Sequence, residues 1–296
     1  MKGKIVAVTG ATSGIGLATV KALCSKGAYV IGTGRSQEKC AQIRKDIFKS
    51  FPQARTEYLV ADFSSLGNVR KLARDIAKTI EAWGRNHLDV LINNAGTFTS
   101  WYMSSAEGFE MQFAVNHLAP FLLTNLLFPL LKNAPDARII TVSSGSHYHT
   151  RMHWDDLLLR KHYNCLLAYK QSKLANVLFT RELRRRLGGG SKISAIAADP
   201  GLVNTEMGLK NTVGIAKLVW SIRKNSGRTP SEAAETIVYL AEDKTVRNSG
   251  DIYFKDCRAK KPNPRGLDEE NARRLWKISE KMCGIRSEDY GLKDEQ

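Results

Sequence analysis

The sequence predicts an α/β fold, and three observations predict it. Short β-branched runs alternate with stretches of helical apolar periodicity along the chain. The first such run, Ile5-Val6-Ala7-Val8, passes at once into a glycine-rich loop and then into a helical stretch from Leu17 to Ser25. The 296 residues are 43% hydrophobic and 25% charged, the balance of an ordinary globular chain able to bury a substantial core as one domain.

Composition excludes several classes. No stretch reaches eighteen apolar residues, and Met1-Lys2-Gly3-Lys4 runs directly into the first strand. A signal peptide or N-terminal anchor is therefore not expected, and the chain reads as cytoplasmic rather than secreted. Cys24, Cys40, Cys165, Cys257 and Cys283 lack metal or disulfide spacing, and their odd number fits a reducing compartment. The net charge of +16 demands large positive surface regions that attract anions. Basic residues are dispersed, the tightest group being Arg181, Arg184, Arg185 and Arg186, and no zinc finger, aromatic RNA-binding signature or basic zipper is present. Nucleic acid is therefore not an expected partner. Solubility, an anionic cofactor and an acidic membrane surface are the remaining uses of this charge.

In chain order, the first loop reads Thr9-Gly10-Ala11-Thr12-Ser13-Gly14-Ile15-Gly16. Gly10 permits a tight turn, Gly14 lets backbone approach a pyrophosphate, and Gly16 lets the helix pack on the strand. Ser13 and Ile15 lie at the helix N-terminus that would face the anion. The second strand, Ala28 to Gly32, ends in Thr33-Gly34-Arg35-Ser36, with no acid where a ribose 2′-hydroxyl would meet one. Arg35 can grip a 2′-phosphate bidentately and Ser36 or Ser13 can donate to it, which points to NADP(H). Helices follow over about 38–50 and 65–83, and strands over about 55–60 and 88–92.

A long apolar helical segment over about 107–131 contains Asn116, an amide that needs partners if buried. The fifth strand, 138–142, delivers Ser143-Ser144 at its C-terminal end, where ligands bind in open parallel sheets. Successive strand residues face opposite ways, so one of the two serines readily reaches a substrate. Tyr169 and Lys173 then share one face of a helix running to Gly188-Gly189-Gly190. A fixed positive charge beside a phenol favours its phenolate, so Tyr169 can trade a proton nearer neutral pH than free tyrosine, with Lys173 as tuner. His147, His149 and His153 have no cysteine or carboxylate at ligand spacing and read as loop residues near the substrate mouth, not as a metal site. After a strand at 193–198, residues 206–228 read as a lid. Its Ile215, Leu218, Val219 and Ile222 oppose Lys217, Ser221 and Lys224, an amphipathic pattern suited either to packing on substrate and core or to a membrane surface. Thr229-Pro230-Ser231-Glu232 opens a helix to Ala241, and 251–254 is the last strand.

The glycine spacing G-x-x-x-G-x-G resembles that of the short-chain dehydrogenases/reductases, as do Asp62-Phe63, Asn93-Asn94-Ala95-Gly96, Tyr169-x-x-x-Lys173 and Pro200-Gly201-x-x-x-Thr205. The stretch from Ser172-Lys173-Leu174-Ala175-Asn176 to Leu183, the long interval between Ser144 and Tyr169, and Asp256-Cys257 and Leu275-Trp276 are similar to its retinol dehydrogenase and WW-domain oxidoreductase branch. The resemblance implies one Rossmann-type, doubly wound, mainly parallel sheet of about seven strands with helices on both faces. It implies a single domain over 1–296: a cofactor half to about 143, a catalytic and substrate half over about 144–254, and a C-terminal extension with a helix at 268–282. Asp62 would meet the adenine, Asn93, Ala95 and Gly96 would lie beside the cofactor, and Thr205 would meet the nicotinamide carboxamide.

Ser144 would orient the substrate carbonyl, Tyr169 would be the acid/base, Lys173 would also hold the nicotinamide ribose, and Asn116 would hold a water in a proton relay. The implied activity is hydride transfer between NADP(H) and an apolar carbonyl or alcohol of retinoid, long-chain aldehyde or steroid type. Homodimerisation through the helices carrying Asn116 and Tyr169 is implied as well. Asp199 departs from the pattern, standing where relatives often carry histidine. A non-catalytic NADP(H)-sensing regulator or scaffold is the alternative, against which the intact set of Asn116, Ser144, Tyr169 and Lys173 argues.

Overall fold

Parallel pairing sets the β-branched runs side by side in the computed structural model, which describes residues 1–203 and 227–293. The strands are β1 (Ile5–Val8), β2 (Tyr29–Gly34), β3 (Thr56–Val60), β4 (Val90–Asn93), β5 (Ala137–Val142), β6 (Ile193–Asp199), β7 (Tyr253–Lys255) and β8 (Arg258–Ala259). Their order is β3-β2-β1-β4-β5-β6-β7-β8, with only β8 antiparallel, so the expected seven parallel strands gain a two-residue edge. Helices α1 (Gly14–Ser25), α2 (Gln37–Ser50), α3 (Leu66–Ala82), α4 (Met111–Lys132), α5 (Cys165–Leu187), α6 (Pro230–Glu242) and α7 (Glu269–Cys283) cover both faces. Thr205 and all of the lid except Gly227 and Arg228 lie outside the described residues.

Strand alternation divides the core in two. Ile5 and Ala7 of β1 face α3, α4, α5 and α7, whereas Val6 and Val8 face α1, α2 and α6. Both faces being covered, the central strands carry apolar residues almost without interruption. By length and apolar composition, α4 could cross a membrane, yet 83% of its apolar window is buried within the domain.

The C-terminal extension packs α7 across α4 and α5. Trp276 of α7 is 1% exposed, packs edge-on against Phe121 with 5.0 Å between centroids, and stacks on Phe179. Arg186 lies over its ring at 4.5 Å and its Nε1 donates to Ser287 Oγ at 2.9 Å. Beside it the imidazole of His117 meets Ser279 Oγ at 2.8 Å. The helices assigned by resemblance to a dimer interface are thus crossed by the chain's own α7.

Two consequences can be measured. Trp276→Ala removes a large, fully packed side chain and should cost about 3–5 kcal/mol in denaturant unfolding. Burial lowers the His117 pKa from 6.5 to about 3, so between those values the unfolded chain takes up a proton that the folded chain refuses. Stability contributed by the neutral ring is present above pH 6.5 and declines as pH falls towards 3. His117→Gln should therefore flatten the dependence of stability on pH in that window by up to about 1.4 kcal/mol per pH unit.

Candidate active site

The sheet order reverses between β1 and β4, opening a crevice at the C-terminal ends of these strands. Gly10 takes φ +65° there, and a Cβ on it would sit 2.9 Å from the Ala95 Cα. A Cβ on Gly16 would come within 2.2 Å of the Gly10 carbonyl oxygen, so the start of α1 rests directly on the loop only because both lack side chains. Thr9 Oγ1 accepts from the amides of Asn94 and Ala95, each at 2.9 Å, and Asn94 Nδ2 donates to the Thr9 carbonyl at 2.8 Å. Asn93, expected beside the cofactor, is 3% exposed and donates to Thr124 Oγ1 of α4 at 3.0 Å. Its side chain belongs to the core, and Asn94 is the residue that pins the glycine loop.

Ser13 is the N-cap of α1 but makes no capping hydrogen bond, so its side chain leaves the amides of Gly14, Ile15 and Gly16 to other acceptors. Arg35 and Ser36 are exposed beyond β2. Ser36 Oγ accepts from Lys39 N at 3.2 Å, which caps α2 and leaves the hydroxyl hydrogen for another partner. Asp62 is exposed, with Oδ1 bound by Ser64 N at 2.9 Å. Gly96 is half-buried at the lip of β4.

Deeper in the crevice, α5 presents Tyr169 and Lys173 on one face. Lys173 is 4% exposed, its Nζ donates to the Val142 carbonyl at 3.1 Å, and it lies 5.6 Å from the centroid of the half-buried Tyr169 ring. Burial pushes the lysine pKa down to about 8, against the opposing field of Asp199. Ser143 Oγ donates to the Lys173 carbonyl at 2.8 Å and is buried, which turns Ser144 the other way. Ser144 Oγ, half-buried, accepts from Ser146 N at 3.2 Å and opens the turn Gly145–His149. Asn176, one turn beyond Lys173, also donates to the Val142 carbonyl at 3.1 Å, filling its second lone pair.

Asn116 is buried in a π-helical turn of α4, Ala114–Leu118. Its Oδ1 accepts from Thr97 N at 2.7 Å, and its Nδ2 donates to the Thr97 carbonyl at 3.1 Å and to Ser172 Oγ at 2.9 Å. Ser172 in turn donates to the Tyr169 carbonyl. The side chain is thereby committed to bracing the loop after β4 against α5.

His147 is not the mouth residue the sequence suggested: it is fully buried, while His149 is exposed. The Asn263 amide donates to His147 Nε2 at 3.0 Å, so the ring proton sits on Nδ1 and is donated to the Ser144 carbonyl at 2.7 Å. Asn263 Nδ2 also donates to the His147 carbonyl. This clasp joins the C-terminal extension to the serine loop, and nothing local in the sequence signals a contact between residues so far apart. Asp199, 1% exposed, accepts from the Tyr253 hydroxyl at 2.7 Å and from Gly201 N at 2.9 Å.

A family model for short chain dehydrogenase matches residues 4–213. Human retinol dehydrogenase 14 is 40% identical over 306 residues, covering 96% of this chain and 88% of that protein, and human retinol dehydrogenase 13 is 39% identical over 294 residues, covering 96% and 86%. A crystal structure of a Mycobacterium paratuberculosis protein superposes with a TM-score of 0.75 at 32% identity, over 96% of this chain and 95% of that one. A glycine-loop crevice, a tyrosine and lysine at its floor, and these likenesses along nearly the full length agree: the chain belongs to the short-chain dehydrogenases, a family of nicotinamide-using oxidoreductases, in its retinol dehydrogenase-like branch.

Proposed function

We propose that this chain is an NADP(H)-dependent oxidoreductase acting on an apolar carbonyl or alcohol of retinoid, long-chain aldehyde or steroid type. The observation that carries the reading is the Lys173 ammonium, 4% exposed and held by the Val142 carbonyl beside the Tyr169 ring. A buried cation next to a phenol has little structural use, because burial costs it solvation. It does stabilise a phenolate. The Tyr169 hydroxyl gives a proton to the substrate oxygen during reduction and takes one during oxidation, while Lys173 lowers the cost of the charged form. Ser144 Oγ orients the substrate oxygen, and Asn116 keeps Tyr169 in place through Ser172. The bound nicotinamide supplies or accepts the hydride. Substrate type follows from the retinol dehydrogenases to which the chain is similar. A non-catalytic sensor of the cofactor would use Lys173 for the nicotinamide half but would have no use for a phenol set beside it.

The geometry of the glycine loop supports a dinucleotide in the crevice. Gly10, Ser13, Gly14, Ile15 and Gly16 would hold the pyrophosphate, Asp62 the adenine, and Ala95, Gly96 and Lys173 the nicotinamide half. Arg35 makes no ion pair among the described residues, and with the Ser36 hydroxyl it supports a 2′-phosphate and hence NADP(H).

Tyr169→Phe should lower kcat about 100- to 10,000-fold in an NADPH-dependent carbonyl assay while leaving the Kd for NADPH within about threefold. Retained turnover would remove Tyr169 from the mechanism. Arg35→Ala should raise KM for NADPH about ten- to a hundredfold, the loss of one charge-assisted bond, with little change for NADH. Equal effects on both cofactors would dismiss the 2′-phosphate contact.

A further inference from the structure

We propose that Asp199 is the counter-charge of Lys173: a locked, buried carboxylate that keeps the lysine protonated beneath Tyr169, and so acts on proton transfer through the lysine. The catalytic consequence rests on the role of Tyr169 and Lys173 given above; the charge pairing itself does not.

Geometry carries the assignment. Val177 of α5 packs on Ala197 and Tyr253. Lys173 stands one helical turn before Val177 on that helix face, and Asp199 stands two residues beyond Ala197 on the same strand face. Asp199 also follows Ala198, the register partner of Val142, whose carbonyl holds the lysine. Both carboxylate oxygens accept, one from the Tyr253 hydroxyl and one from the Gly201 amide. This is the bonding of a carboxylate, since a carboxylic acid would need an acceptor for its own proton. Tyr253 remains a neutral donor because burial, and then Asp199 itself, drive its pKa up.

The other charged or titratable groups around Asp199 are solvated, paired or neutral. From β7, Lys255 is its register partner but is half-exposed, so water already solvates that ammonium. Arg228, near Gly201, is paired with Asp256. From the turn after β5, His147 is held neutral by the Asn263 amide, and Tyr148 is an uncharged phenol whose pKa is raised by burial. Among these described groups around Asp199, Lys173 is the one buried cation, and the carbonyl that its Nζ meets is uncharged. A buried ammonium without an opposite charge sheds its proton. Burial works in that direction here, and Asp199 opposes it.

The test is the titration of Lys173 in the full-length protein, followed by the 13Cε resonance of 13C-lysine and assigned by its loss in Lys173→Arg. Asp199→Asn should lower the midpoint by about one pH unit or more. Tyr253→Phe, which loosens the carboxylate but keeps its charge, should not lower it. An unmoved midpoint in Asp199→Asn, or an equal fall in both variants, overturns the proposal. Should Asp199→Asn fail to fold, Asp199→Ser serves in its place with the same criteria. In turnover, removing a negative charge near both groups should displace the whole pH profile of kcat/KM for alcohol oxidation to lower pH, the alkaline limb by about one unit. Loss of the tyrosine mechanism would appear separately, as activity in Tyr169→Phe with the lysine midpoint still moved by Asp199→Asn.

Discussion

An ammonium group taken out of water is the constraint on which this site is built. Lys173 reaches the floor of the crevice only because α5 lies against the end of β5, where the Val142 carbonyl receives it. That requirement fixes much around it. Ser143 ties the same stretch of helix to the strand, Asn176 fills the second lone pair of the shared carbonyl, and Asn116 joins α5 to the loop after β4 through Ser172. The result is a phenol whose position is set by backbone contacts rather than by its own ring alone.

Local chemistry was legible in the sequence, and long-range chemistry was not. Gly10, Gly14 and Gly16 could be read because a turn, a helix start and a close approach all act within a few residues. Tyr169 and Lys173 could be read because helical periodicity alone brings them together. The choice between Asn93 and Asn94 needed the pleat: adjacent strand-end residues face opposite sides, and the inward one went to Thr124. Asn116 was found as a buried amide, but which of its atoms were already spent depended on Thr97 and Ser172. His147 was misplaced altogether, since its partner Asn263 lies 116 residues away. Element boundaries shifted by a residue or two where fraying competes with pairing, as at β7, expected over 251–254 and found at Tyr253–Lys255.

The long interval between Ser144 and Tyr169 and the segment beyond β7 act as one structural unit. The interval winds past α5, where Gln171 receives the His153 amide on Oε1 and donates to the Leu157 carbonyl. The C-terminal segment then closes over it through Asn263, Trp154 Nε1 bonding to Asn271, and α7. Each segment alone would leave polar backbone and aromatic surface without partners. Together they hold the serine loop from behind, which couples the geometry of Ser144 to residues well outside the crevice.

The late position of Trp276 also bears on how the molecule is made. During synthesis on the ribosome, the sheet and the helices α4 and α5 can emerge and collapse before α7 has left the exit tunnel. Phe121 and Phe179 then lack one side of their packing, since Trp276 of α7 comes later in the chain. A nascent chain stalled before α7 would expose an aromatic patch, the kind of surface that chaperones engage, and the docking of Trp276 is the event that seals it.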